Sequence, residues 1–400
     1  MVSNLKNIVN IFLSELKLVL RDKGTILIMV GGVFLYSIFY MIPFSTHVLK
    51  EVPIGVIDND NSSLSREFVR NLDSNEFIKV SDKYSNIIEA KEDYYGNKIQ
   101  AFVLIPQGFE KDIKSGKHTY ITSYEDSSFI IIYKQVASGI TQTALETGAK
   151  IEIASLMKQG VNKNQAIRVK SPVNFVQNPL FNPAGSYQNY IYPLILILIL
   201  QQTMLVGVGM LAGTISERMS GTKYRNEKGD LLEVKQINVN EYSNNPIEIV
   251  IGKGLAYTSL YLVYSFFYFL VFPLFLVYNS SHNIIVLLLF LVPFLFSTAC
   301  LGQTIGAICR KREYSMFILV FSSVPLIFLP GFIWPKEAIP TMLIIFSKFM
   351  PVTSAIDGLV RINQMGATFM QVQKSFLLLV ALCILYFITA CCVVRKYTEK

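Results

Sequence analysis

Asp58 and Asp60 close the apolar run PIGVIDND (residues 53–60), and carboxylates at a strand end are where α/β folds often hold ligands. Carboxylates there also form turns, and nothing in the sequence completes a catalytic set around them. There is no G-x-S-x-G elbow, no H-E-x-x-H and no Cys–His constellation. Cys300, Cys309, Cys383, Cys391 and Cys392 all lie in or beside apolar runs and read as small buried residues. His47, His118 and His282 are scattered, without metal-ligand spacing. A nucleotide loop would need G-x-x-x-x-G-K-[ST], but Gly116-Lys117 is followed by His118 and Gly252-Lys253 by Gly254. We therefore expect no catalytic residue, no metal and no cofactor bound by this chain.

The elements that surround these residues are mostly apolar. Of 400 residues, 52% are hydrophobic and 16% charged, against about 25% charged in soluble domains. That deficit excludes a wholly soluble enzyme and a disordered chain. The net charge of +8 does not indicate nucleic acid, because the basic residues sit in short segments beside apolar runs. A bilayer core takes about 20 apolar residues as a helix, and lipid admits only helices or closed barrels. Six stretches qualify: Thr25–Phe44, Tyr190–Gly213, Ile249–Tyr278, Ile284–Ile308, Ser315–Ile333 and Ser375–Val394. The fifth is interrupted by Pro325, Pro330 and Gly331. The first is too long for a signal peptide and lacks a small-x-small cleavage site.

Lys6, Lys17, Arg21 and Lys23 precede the first stretch, Arg218 to Lys235 follow the second, Arg310-Lys311-Arg312 follow the fourth, and Arg395, Lys396 and Lys400 follow the sixth. By the positive-inside rule both termini are cytoplasmic and the polar region after the first stretch is outside. Before the first span, Leu5, Ile8, Phe12, Leu16 and Val19 recur at helical spacing opposite Lys6, Asn10, Ser14 and Lys17, so residues 1–24 read as an interfacial helix. Residues 46–187 alternate strand and helix patterns, an inserted α/β domain. Strands are expected at Pro53–Asp60, Glu76–Val80, Ala101–Pro106, Thr119–Tyr124 and near Ala166–Phe175, with helices at Ser62–Leu72, Tyr84–Tyr95 and Phe129–Gln159.

Four segments resemble the type-2 exporter permeases of ATP-binding-cassette transporters, in the subgroup with a large external domain between the first and second spans. These are LRDKGTILIMVGGVFLYSIFY (residues 20–40), KEVPIGVIDNDNSSLSREFVRNL (residues 50–72), ISERMSGT before NPIEIVIGKGLAY, and LPGFIWPKEAIPTMLIIFSKFMPVTSAIDGLVRINQMGA (residues 329–367). In this sequence Lys223–Asn245 intervenes between the acidic–Gly-Thr motif and Pro246. The resemblance implies an α-helical polytopic membrane protein. Its parts are a first span at 25–45, an extracytoplasmic α/β domain at 46–187, spans two to six within 188–394, a coupling loop at 213–248, a re-entrant helical hairpin at 334–372 and a cytoplasmic tail at 395–400. The expected function is ATP-driven export of an amphipathic or lipophilic cargo by alternating access.

The implied partners are a cytoplasmic ABC ATPase dimer that carries ATP and Mg, a second permease copy (identical or a paralogue), membrane lipids, and a periplasmic adaptor with an outer-membrane channel. Nucleic acid is not among them. The expected ATPase-coupling residues are Arg21, Asp22, Glu217, Arg218, Gly221 and Thr222. Gln201, Gln202, Phe321, Phe328 and Trp334 are candidates for the substrate path. Pro335, Pro340, Pro351, Thr353, Asp357 and Arg361 belong to the re-entrant segment, where Asp357 and Arg361 form an i,i+4 pair. Gly207, Gly209 and Gly213 favour close helix packing. Three other readings stay open, among them a membrane-anchored receptor, which would not require the re-entrant segment. Another is a permease that transmits ATPase motion to the external domain without moving cargo. The third is an ion-coupled transporter, which the near absence of ionisable groups in the spans disfavours.

Overall fold

The computed structural model describes residues 2–42, 49–170, 180–182, 186–219, 224–225, 231–232, 243, 245–275 and 284–398. The chain divides into two compact units, one of residues 1–47 and 179–400, the other of residues 48–178.

The first unit is helical, because long apolar runs in lipid satisfy their backbone groups only within the helix. Among the described residues five helices are long and apolar enough to cross a membrane: Lys23–Tyr40, Tyr187–Glu217, Pro246–Val271, Ile285–Cys309 and Phe369–Lys396. The first contains a wide turn at Leu27–Gly32, and the third another at Phe267–Val271. The expected fifth span is a 17-residue helix, Arg312–Phe328, with Pro325 inside it. Thr341–Lys348 and Pro351–Met365 form a pair bent by 84° that would bring the number of crossings to six if it counted as one.

Proline sets that bend. Pro340 and Met350 cap the two arms, and Pro351 opens the second, where its missing N–H costs nothing. Gly366, at φ +63°, ends the second arm in the left-handed conformation that glycine adopts without strain. The second arm is buried through Val352, Ala355, Ile356, Leu359 and Ile362, whereas Met342 and Ile345 of the first arm are exposed.

The N-terminal helix, Val2–Arg21, packs on Pro246–Phe266. Its buried face is not the purely apolar stripe read from the sequence. Ile11, Glu15 and Val19 are buried, while Leu5 is exposed. The helical periodicity holds but the buried face is rotated away from that stripe, because Glu15 turns inward to accept a hydrogen bond from the Tyr257 hydroxyl and pairs with Lys253 at 3.4 Å. Asn7 donates to Glu248 at 3.0 Å from the same side of the helix. A residue with a β-carbon at Gly252 would place that atom 2.7 Å from Ile11, so glycine is what lets the two helices approach there.

The second unit is built on a four-stranded sheet: β1 (Val52–Asp58), β2 (Ile78–Lys83), β3 (Ala101–Ile105) and β4 (Thr122–Glu125), in the order β2-β1-β3-β4. β1 runs parallel to β2 and β3, and β4 runs antiparallel to β3. Both faces are apolar. Ile54, Val56, Val103 and Ile105 meet Phe68, Leu72 and Ile140 on one side, and Ile57 and Phe102 meet Tyr84 and Ala90 on the other. Such two-sided burial is what parallel strands flanked by helices require.

Two helices of this unit start at capping side chains. Ser62 caps Ser63–Asp73 and Asn86 caps Ile87–Tyr95. The strand expected near Ala166–Phe175 is instead a helix over Lys163–Lys170, and residues 171–175 lie outside the described residues. Asn162 accepts from the Asn164 N–H at 3.0 Å at its start, and Ala166 is buried. The cap and the ion pair from Lys170 to Glu152 on the long helix Ile130–Lys158 hold this segment as a helix.

Candidate functional site

Three segments distant in sequence meet around Arg312. Asp22 accepts from the Thr25 N–H at 2.8 Å and so caps Lys23–Ile26, the first turn of the first span. Its carboxylate also takes a two-pronged hold of Arg312, Nη1 to Oδ2 and Nη2 to Oδ1 at 2.9 Å each, the strong geometry for guanidinium and carboxylate. Burial pushes the Asp22 carboxyl up, but hydrogen bonds from Arg312 and Thr25 and the charge of Arg312 outweigh it and hold the pKa at about 2.

The last turns of the second span supply the other side. Thr214 accepts from Arg312 Nη1 at 3.1 Å, and Glu217 accepts from the Arg312 backbone N–H at 3.0 Å. Glu217 thus satisfies one of the orphan donors at the start of Arg312–Phe328 and places negative charge at its positive end. Two glycines leave room for this junction. A β-carbon on Gly213 would lie 2.5 Å from the Arg312 backbone nitrogen, and one on Gly24 would lie 2.1 Å from Nη2. Gly207 and Gly209 admit Met29 and Leu319 in the same way.

Of the residues expected to couple, Asp22 and Glu217 therefore come together, joined through Arg312. Arg21 stands exposed beside them. Gly221, Thr222 and the side chain of Arg218 lie outside the described residues. Within the insert, Tyr224–Arg225 pairs antiparallel with Leu231–Leu232. From its sequence position Arg312 is only one of the charges that orient the spans. The signals available for it were its position at a helix start and the conspicuous small residues Gly24 and Gly213.

The expected path residues are not equivalent. Gln201 is fully buried and Gln202 partly so, and among the described residues neither amide has a hydrogen-bond partner. A buried amide left unpaired costs about 1–3 kcal/mol. Thr203 beside them is satisfied, accepting from the Tyr261 hydroxyl at 3.0 Å and donating to the Ile199 carbonyl. Phe321, Phe328 and Trp334 are 75%, 46% and 55% exposed, so they present themselves to lipid or to another chain rather than to an enclosed cavity of this one.

In the bent segment Asp357 is the hub. It pairs with Arg361 at 3.0 Å and Lys336 at 3.7 Å and accepts from Ser375 at 2.6 Å. Thr353 is on the same arm, one turn before it, with a buried hydroxyl that has no partner among the described residues. Pro335 precedes the short turn Lys336–Ala338.

In the second unit the acidic pair is structural. Asp58 accepts from the Asp60 and Asn61 N–H groups and from the Ser65 hydroxyl. Asp60 accepts from the Gly108 and Glu110 N–H groups at 2.8 and 3.0 Å. Burial raises the Asp60 pKa, and bonds from Ser62 and these N–H groups lower it further than that, to below the usual range. Asp58 ties the end of β1 to the turn and helix that follow it, and Asp60 ties that turn to the start of the helix Phe109–Lys114.

Comparison with known proteins places this geometry in context. The profile of the ABC-2 family transporter proteins matches residues 23–391. The inner membrane transport permease YhhJ of Escherichia coli is 24% identical over 380 residues, 95% of this chain and 94% of that protein. The protein of the same name from Shigella flexneri matches to the same extent. An uncharacterised protein of Methanocaldococcus jannaschii is 24% identical over 185 residues, 43% of this chain and 45% of that one.

Proposed function

The chain belongs to the ABC-2 family of transporter proteins, and from that membership we propose that it is the membrane half of an exporter that a separate ATPase drives. Multi-pass membrane permeases of this family work with an ATP-binding subunit. In our reading that subunit carries the ATP and Mg, and two permease copies pair above an ATPase dimer. The termini face the cytoplasm, residues 46–187 lie outside, and 334–372 dips into the membrane as a re-entrant hairpin before the last span.

The observation that carries the reading is the junction at Arg312. It ties the start of the first span, the end of the second and the start of the following helix into one body. A push delivered near Glu217, Arg218, Gly221 and Thr222, or to Arg21 and Asp22, reaches all three helices at once. Closure of the ATPases on ATP then shifts the population between inward- and outward-open states. The cargo is amphipathic or lipophilic, because the surface around Phe321, Phe328 and Trp334 is apolar and Gln201 and Gln202 offer only uncharged hydrogen-bonding groups.

The test is to reconstitute the permease with its ATPase and measure transport and ATP hydrolysis together for Arg312→Gln. Loss of transport with ATP hydrolysis continuing supports coupling through this junction. Undiminished transport in an assembled complex overturns it. A wild-type complex that turns over ATP and moves no cargo would instead favour the motion-transmitting alternative.

A further inference from the structure

Beyond its role in coupling, the N-terminal helix has a face that the fold leaves uncovered. At 100° per residue the helix Val2–Arg21 divides into three sectors. One is buried and carries Ile11, Glu15 and Val19. The next is exposed and aliphatic: Leu5 is 65% exposed, Val9 47%, Leu13 48% and Leu20 62%. The third, adjacent to it, carries Lys6, Lys17 and Arg21, all exposed, and Lys23 follows directly.

The acids of this region are committed elsewhere. Glu15 faces Tyr257 and Lys253, and Asp22 holds Arg312. Among the described residues none of Lys6, Lys17, Arg21 and Lys23 is paired with a carboxylate. The uncovered surface is therefore aliphatic on one side, cationic on the other, and free of negative charge among the described residues. It is also continuous with the first span, which begins at Lys23, so it starts at the membrane surface.

We propose that this surface is a binding site for anionic phospholipid, with Leu5, Val9, Leu13 and Leu20 among the upper acyl carbons and Lys6 and Lys17, supported by Arg21 and Lys23, on the headgroup phosphates. The aliphatic sector sets the depth of the helix, and the long lysine stems let their ammonium groups reach the phosphate plane. An acidic protein surface would match the charges but leave the aliphatic sector in water. A neutral bilayer would cover the aliphatic sector but leave the charges unanswered. Anionic lipid satisfies both.

The experiment uses the full chain in nanodiscs without any ATPase, so its outcome is independent of the coupling reading. Amide hydrogen exchange across residues 4–20 is compared in phosphatidylcholine alone and in phosphatidylcholine mixed with phosphatidylglycerol. We expect exchange to slow when phosphatidylglycerol is present, the slowing to shrink with added salt, and the Lys6→Gln/Lys17→Gln variant to lose roughly fivefold of it per cation removed. Lys6→Arg/Lys17→Arg should retain it, which separates charge from local folding. Equal exchange in the two lipid mixtures overturns the proposal. So does a lipid effect that the glutamine variant keeps in full.

Discussion

Arg312 and Asp22, 290 residues apart in sequence, hold each other through two hydrogen bonds of 2.9 Å. Each residue also starts a helix, so the contact fixes the relative position of two helix beginnings rather than of two side chains. Glu217 adds the end of a third helix through the Arg312 backbone.

Removing the charge of one partner should expose how much rests on the pair. Asp22→Asn leaves a part-buried guanidinium without its counter-charge and should lower the stability of the purified permease by about 2 kcal/mol, the scale of hydrogen bonds to charged groups. Thermal unfolding in detergent measures this. A change within error of zero would show that Thr214 and solvent satisfy Arg312 alone.

The pair also predicts a pH dependence with a definite sign. The Asp22 pKa is lowered from 3.8 to about 2 in the fold, so its contribution is present at neutral pH and down to the usual carboxylate range. It is lost as pH falls from about 4 towards 2. The stability gap between wild type and Asp22→Asn should therefore be constant between neutral and mildly acidic pH and narrow only in that window. A gap that narrows near neutrality would assign it to another group.

Gly213 faces the backbone at the Lys311–Arg312 junction, where an added β-carbon would lie 2.5 Å from a nitrogen that cannot rotate away. Gly213→Ala should cost about 1–3 kcal/mol through overpacking and weaken coupling in the same direction as Arg312→Gln. Gly148, whose surroundings within 4 Å are empty, serves as the control, and its alanine variant should unfold at or above the wild-type temperature.

Gln201 separates stability from transport. Its buried amide lacks a partner among the described residues, so Gln201→Leu should stabilise the bundle by about 1 kcal/mol or more while reducing transport in the reconstituted complex. A variant that is more stable and transports normally would remove Gln201 from the cargo path.

Five of the six expected spans were legible in the sequence, because runs such as the second, Tyr187–Glu217, are apolar over the whole thickness of a bilayer, whereas the fifth, broken by Pro325, is a 17-residue helix. The first four strands of the second unit were readable from runs such as Ile54–Ile57 and Ala101–Ile105 and their flanking turns, whereas the last expected strand is a helix over Lys163–Lys170. Asp22 and Glu217 were recognisable as charges at span ends. Arg312 was not recognisable as their common partner, since no local periodicity encodes a contact across hundreds of residues. Glu15 was missed for a related reason. An acid on the face of a helix that otherwise reads as apolar only makes sense once Tyr257 and Lys253 are seen opposite it. Gly221 and Thr222 remain expectations from resemblance alone.

The wide turns in the first and third membrane helices meet. Tyr268, inside Phe267–Val271, donates its hydroxyl at 2.6 Å to the carbonyl of Val33, the residue that follows Leu27–Gly32. A wide turn carries one surplus residue, and the ladder of the helix skips a rung there. Winding the same six residues, Leu27–Gly32, as regular helix would restore an unbroken ladder yet swivel everything beyond them by about 100°, carrying the Val33 acceptor away from its donor. The first helix thus keeps two independently indexed halves, the one before the wide turn keyed to Arg312 and the one after it to Tyr268, with the extra residue as the clutch between them.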